Sequence, residues 1–209
     1  DLESLRSTLV ERFAVPENQV SVFENESSVR LRNEIPNLLD RLGAQDELYV
    51  YITTRGYLDK GDRAYLAAKE FVETKMEDTG LALDWLIDQI DGSTAKRKLL
   101  MLDCSTNDLD KSVNGLSMVD SIQASKRGGY PKSTYILSSS GEGESGLAST
   151  EKANRSLFGL SLADAFAGEA DQQRDSDIET TELTTFVIEQ VQKLASSSGR
   201  SQRPKLILP

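Results

Sequence analysis

No histidine occurs among the 209 residues of this chain. Its absence excludes a Cys-His or Ser-His-Asp catalytic unit built from this chain alone, and any zinc site that draws on imidazole. Cysteine occurs once, as Cys104, which excludes an internal disulfide framework and a cysteine-cluster metal site. No apolar run approaches the roughly 20 residues needed to span a bilayer, so no membrane partner is expected. Cationic residues are outnumbered, 24 Lys and Arg against 34 Asp and Glu, for a net charge of −10. A general nucleic-acid binder needs an electropositive footprint, so nucleic acid is not an expected partner either. One cysteine and no membrane segment point to a reducing, cytoplasmic setting.

What is present is a globular composition, with enough length for one substantial core. Its strongest local pattern is Lys98 to Asp108. Leu99, Leu100, Met101 and Leu102 form a continuous apolar run between a basic cluster and a polar turn. That pattern predicts a strand buried on both faces, as in a parallel sheet covered by helices. The strand ends at Asp103, Cys104 and Ser105, where open α/β sheets carry their ligand and catalytic groups.

The rest of the chain alternates helix and strand signals. Leu2, Leu5, Leu9 and Phe13 predict an amphipathic helix over residues 1–14, and Val20 to Phe23 a short strand. Ser27 or Ser28 caps a predicted helix through Leu42, which Pro36 is expected to kink or restart. Leu48 to Thr53 is β-branched and aromatic, the signature of a second buried strand. A hairpin is expected around Asp59 to Asp62, and Leu81, Trp85, Leu86 and Ile90 mark a helix. Thr106 to Pro131 reads as a long loop with a short helix near Met118 to Ala124. Thr134 to Leu137 is another strand, and residues 156–170 and 180–194 are helices. A flexible segment, 196–203, precedes a possible closing strand at Leu206 to Leu208. The expected fold class is therefore α/β, a three-layer α/β/α sandwich on a central, mostly parallel sheet.

In order and spacing these segments resemble the caspase and metacaspase-like cysteine peptidases, including bacterial caspase-like domains. Family members carry a strand ending in a Ser-Gly-His-Gly-like motif, which Tyr51-Ile52-Thr53-Thr54-Arg55-Gly56 resembles. A later strand ends in Asp-Ala-Cys-His-Ser-Gly, which Leu102-Asp103-Cys104-Ser105 resembles. Tyr135 to Ser140 looks like the strand and serine-rich loop that follow. Leu157 to Asp171, Asp177 to Leu183 and Arg203 to Leu206 are similar to the closing segments. The resemblance implies one caspase-like domain over residues 1–195, with 196–209 as its flexible segment and closing strand. Family members open with a strand inside the sheet, whereas Asp1 already lies at the first helix. The first strand is thus missing from this chain, and residues before Asp1 are expected in the native protein.

In register, Arg55 stands at the family's histidine position and Ser105 at its cysteine position, so both catalytic positions are substituted. Arginine does not give up its proton at useful pH, and serine without a neighbouring base is a poor nucleophile. A Ser-Lys unit would need Lys96 or Lys98, which precede the strand at its opposite end. A one-residue deletion would instead make Cys104 the nucleophile. Asp103 has a family counterpart that helps bind a basic substrate residue, and the same alignment places Ser138 and Ser139 among substrate-binding positions. An ion pair between Arg55 and Asp103 is also expected, filling that subsite. Asp171, Asp175, Asp177 and Glu182 lack the glycine and ligand ladder of an EF-hand and read as a loop capping the next helix. The resemblance leaves weak calcium binding open, and no other cofactor. It implies a pseudo-peptidase that binds, regulates or scaffolds a peptide or protein partner. That partner would be a peptide, an active paralogue or another domain of a longer chain. The alternative is a residual cysteine endopeptidase cleaving after basic residues, through Cys104 or a partner-completed site.

Overall fold

The computed structural model describes residues 1–104, 112–126, 130–150, 152, 155–175 and 177–209. Within them the strands are β1 (Glu47–Thr54), β2 (Gly56–Leu58), β3 (Ala64–Ala67), β4 (Gly80–Ala82), β5 (Arg97–Cys104), β6 (Ser112–Val113), β7 (Tyr135–Ser138) and β8 (Lys205–Ile207). The helices are α1 (Leu2–Glu11), α2 (Ser28–Leu39), α3 (Met76–Thr79), α4 (Leu83–Gly92), α5 (Gly115–Lys126), α6 (Leu157–Asp164) and α7 (Thr180–Ser197).

The main sheet has the order β1-β5-β7-β8, with the first three strands parallel and β8 antiparallel to β7. The apolar run is its centre. Successive side chains on a strand point to opposite faces, and β5 feeds two separate cores in this way. Leu99 and Met101 join Leu157, Phe158 and Leu162 of α6 and Leu183, Val187 and Val191 of α7. Leu100, Leu102 and Cys104 join Leu86, Ile87 and Ile90 of α4 and Met118 and Ile122 of α5. Leu5 and Leu9 of α1 cover the first face, and Leu31 and Ile35 of α2 the second. The chain is mixed α/β with helices on both faces of a mostly parallel sheet. A second, antiparallel sheet of order β4-β3-β2-β6 adds Leu66 and Leu81 to the second core.

Several local expectations are corrected. Val20 to Phe23 belongs to no strand, because among the described residues no neighbouring segment pairs with it. Leu81 lies in β4 rather than in α4, drawn out by pairing with Leu66. Pro36 sits inside α2 without a restart, and its carbonyl still accepts the Asp40 N–H at 2.9 Å. The helix expected at Met118 to Ala124 is longer, Gly115–Lys126. The helix expected over 156–170 ends in a π-helical turn, Ala165–Glu169, where Gly168 takes φ of 107°, a region that favours glycine. The segment before β8 is anchored rather than loose. Gln202 is 1% exposed, donates from Nε2 to the Ser139 carbonyl (2.7 Å) and accepts from the Leu147 N–H (2.9 Å). Strand β1 pairs with β5 alone, and no described residue pairs with its other edge.

Candidate functional site

The carboxyl ends of β1 and β5 meet in register, with Thr53 beside Asp103 and Thr54 beside Cys104. An open cleft of ≈ 340 Å³ lies there, lined by Thr53, Asp103, Gly146, Leu147, Ala148, Arg155 and Ser156. Asp103 is 4% exposed and shares the sheet face of Tyr51 and Met101, two residues apart on each strand. The Tyr51 hydroxyl donates to Asp103 Oδ2 at 2.9 Å, and the Ser156 hydroxyl donates to the same oxygen at 2.5 Å. Burial pushes the Asp103 carboxyl above the usual carboxylate range, against the pull of the Ser156 and Tyr51 hydroxyls. The Tyr51 phenol is raised in turn, by its burial and by the negative charge of Asp103.

Ser156 does two things at once. As N-cap of α6 its Oγ accepts the Gly159 N–H (2.8 Å) while its proton goes to Asp103. Its own N–H donates to Asp1 Oδ2 (3.0 Å), and Arg155 Nε donates to Asp1 Oδ1 (3.0 Å). Gly159 makes room for that carboxylate, since a Cβ there would lie 2.6 Å from Asp1 Oδ1. The opening of α1, the cap of α6 and the cleft carboxylate thus form one hydrogen-bonded chain.

The expected site residues are distributed unevenly over this geometry. Asp103 lines the cleft. Arg55 is exposed just beyond β1 and makes no ion pair with Asp103, whose Oδ2 is held by Tyr51 and Ser156 instead. Ser105 lies outside the described residues. Cys104 is fully buried among Leu102, Met118 and Ile136 on the opposite sheet face. Burial and the neighbouring Asp103 charge push its thiol far above the ordinary range, so the reactive thiolate is suppressed. That burial argues against Cys104 as a nucleophile. Ser138 and Ser139 are buried behind the cleft rather than on its wall. Ser138 Oγ donates to the Ser140 carbonyl (2.9 Å), and among the described residues the Ser139 and Ser140 hydroxyls make no hydrogen bond of ordinary geometry, although the Ser139 hydroxyl is near enough to Asp103 to favour its ionised form. Lys98 is held at the far end of β5 by the Asp91 carbonyl (2.9 Å) and Ser133 Oγ (3.2 Å), which removes it from any Ser-Lys unit. The acidic loop caps backbone. Asp171 Oδ1 accepts the Asp175 N–H, Asp175 Oδ1 accepts the Asp177 N–H, and Glu182 closes a capping box with Glu179. Among the described residues no group of three or more acidic or cysteine side chains could hold a metal ion.

Sequence reasoning missed Tyr51, Ser156, Arg155 and Asp1. Strand parity could have found Tyr51. A serine immediately before the apolar run Leu157 to Leu162 marks the cap, but nothing local says that it also reaches Asp103.

The chain matches no protein-family model, and none of the curated proteins matches it.

Proposed function

We propose that this is a caspase-like domain that binds polypeptide in its cleft and no longer cuts it. The observation that carries the reading is Asp103. It is a buried carboxylate on the cleft wall at the carboxyl end of a central parallel strand, held by two hydroxyls and paired with no cation among the described residues. A basic side chain supplies the missing charge, and a carboxylate in a partly dry pocket gains more from it than one in water. The parallel order of β1, β5 and β7, with helical cover on both faces, supports the fold assignment. Loss of cutting is supported by the absence of histidine and by the sealed Cys104. The partner is a peptide or a protein segment bearing arginine or lysine.

Fluorescence anisotropy with labelled peptides tests this. Arginine- and lysine-bearing peptides bind at least tenfold more tightly than glutamine versions, and Asp103→Asn removes the preference. Reporter peptides containing basic residues show no turnover, with or without calcium. Turnover that disappears in Cys104→Ala or Ser105→Ala overturns the non-cutting part. Equal binding of basic and neutral peptides overturns the recognition part.

A further inference from the structure

The cleft wall carries a second charge that recognition of a basic side chain does not use. Arg155 lines the same ≈ 340 Å³ space as Asp103, yet the two opposite charges do not pair. Asp103 is held by Tyr51 and Ser156, and Arg155 is held through Nε by Asp1. The Asp1–Arg155 pair is itself nearly enclosed, with side-chain exposures of 10% and 18%. An arginine has five N–H donors in a planar fork. Asp1 takes the one on Nε, and among the described residues Nη1 and Nη2 have no acceptor. The start of α6 stands directly beside Arg155, and the positive end of its dipole faces the Asp1 carboxylate, which accepts the Ser156 N–H.

Asp1 already offsets the Arg155 charge but engages only Nε, so a ligand that uses both Asp103 and the remaining Nη donors carries a cation and an anionic acceptor on one residue. Resting on the reading of Asp103 as the seat of a basic side chain, we propose that the occupant is a polypeptide end. It is a C-terminal arginine or lysine whose side chain lies on Asp103 and whose terminal carboxylate accepts from Arg155 Nη1 and Nη2. Asp1 is a positioning residue in this arrangement. By holding Nε it fixes the fork and keeps the guanidinium from collapsing onto Asp103. Such ends are the products of cleavage after a basic residue, so the domain captures what a trypsin-like cut releases.

The experiment uses the whole chain and four labelled peptides of one sequence. They end in free arginine, in arginine amide, in arginine followed by alanine, or in free glutamine. The free-arginine peptide binds at least tenfold more tightly than its amide and than the alanine-extended form. Arg155→Gln abolishes that difference but leaves the preference for arginine over glutamine. Asp103→Asn abolishes the arginine preference. Arg155→Lys, which keeps the charge and loses the fork, guards against a misfolded Gln variant and retains only part of the discrimination. Amide and free-acid peptides that bind within twofold of each other overturn this proposal while leaving Asp103 recognition intact. Free L-arginine competing as tightly as the peptide assigns the cleft to an amino acid and overturns the chain-end form. Absence of any arginine preference overturns the reading beneath it.

Discussion

Ser156→Ala severs two bonds made by one oxygen, and its cost separates them. The cap on α6 is lost with the Gly159 N–H contact, and N-cap deletions cost about 1 kcal/mol. The hydrogen bond to Asp103 is lost as well, and bonds to a charged group contribute about 1.5–3 kcal/mol. The sum is about 3 kcal/mol, or a fall in Tm of roughly 6–12 °C for a chain of this size. Ser27→Ala is the internal control. Ser27 caps α2 by accepting the Arg30 N–H at 3.1 Å, exposed and with no carboxylate behind it, so it costs about 1 kcal/mol. Urea unfolding of both variants over a pH series reads the difference at constant m. The Ser156 hydroxyl favours the ionised form of Asp103 and lowers its pKa. Its excess stabilisation is therefore full above the higher folded Asp103 pKa of the Ser156→Ala variant and gone below that of the parent. In an Asp103→Asn background the excess shrinks towards that of a neutral hydrogen bond. A Ser156→Ala cost no larger than that of Ser27→Ala at every pH of the series refutes the coupling of cap and cleft.

Three further outcomes follow from other contacts. Cys104 in the folded protein reacts with a thiol reagent at least a hundredfold more slowly than in urea; equal rates would show that its burial is wrong. Burial alone would raise the Asp91 pKa, but the Thr134 hydroxyl and the Lys132 and Ser133 N–H groups outweigh it and hold it below the ordinary aspartate range. Asp91 thus stabilises the fold above the unfolded carboxylate pKa, and the contribution is lost as pH falls through the folded one. An Asp91→Asn variant is accordingly weaker than the parent at neutral pH and converges with it in acid denaturation; a constant gap across that range contradicts the assignment. Gly159→Ala drives a Cβ into the Asp1 carboxylate and costs about 1–3 kcal/mol in thermal unfolding, most of which Asp1→Ala relieves in the double variant.

The strands and most of the helices were legible because their patterns answer to burial. Four apolar residues ending at Leu102 could only be covered on both sides, and Tyr49, Tyr51, Leu48, Val50 and Ile52 sort onto the two cores by parity alone. Val20 to Phe23 misled because a β-rich tetrapeptide becomes a strand only when a neighbour supplies its hydrogen bonds. Leu81 misled because its helical spacing to Trp85 was overridden by the pairing of β4 with β3. In the site, the position of Asp103 at the strand end was readable, but its partners were not. Arg55 is nearer in the motif, whereas Tyr51 lies back along the strand and Ser156 is 53 residues onward. Electrostatic reasoning favoured the charged candidate, and strand geometry selected the hydroxyls.

The outer edge of β1, which pairs with no described residue, has a consequence for this chain in concentrated solution. Eight residues, charged only at Glu47 and with neither proline nor lysine among them, present a straight row of backbone donors and acceptors. Lysine, proline and bulges are the features by which exposed sheet edges ordinarily resist joining one another. Solubility then falls to the net charge of −10, whose mutual repulsion is weakened by salt. Raising ionic strength, or titrating towards the pI of about 4.7, weakens that repulsion, and self-association of this chain then runs through β1 wherever no further strand covers its outer edge.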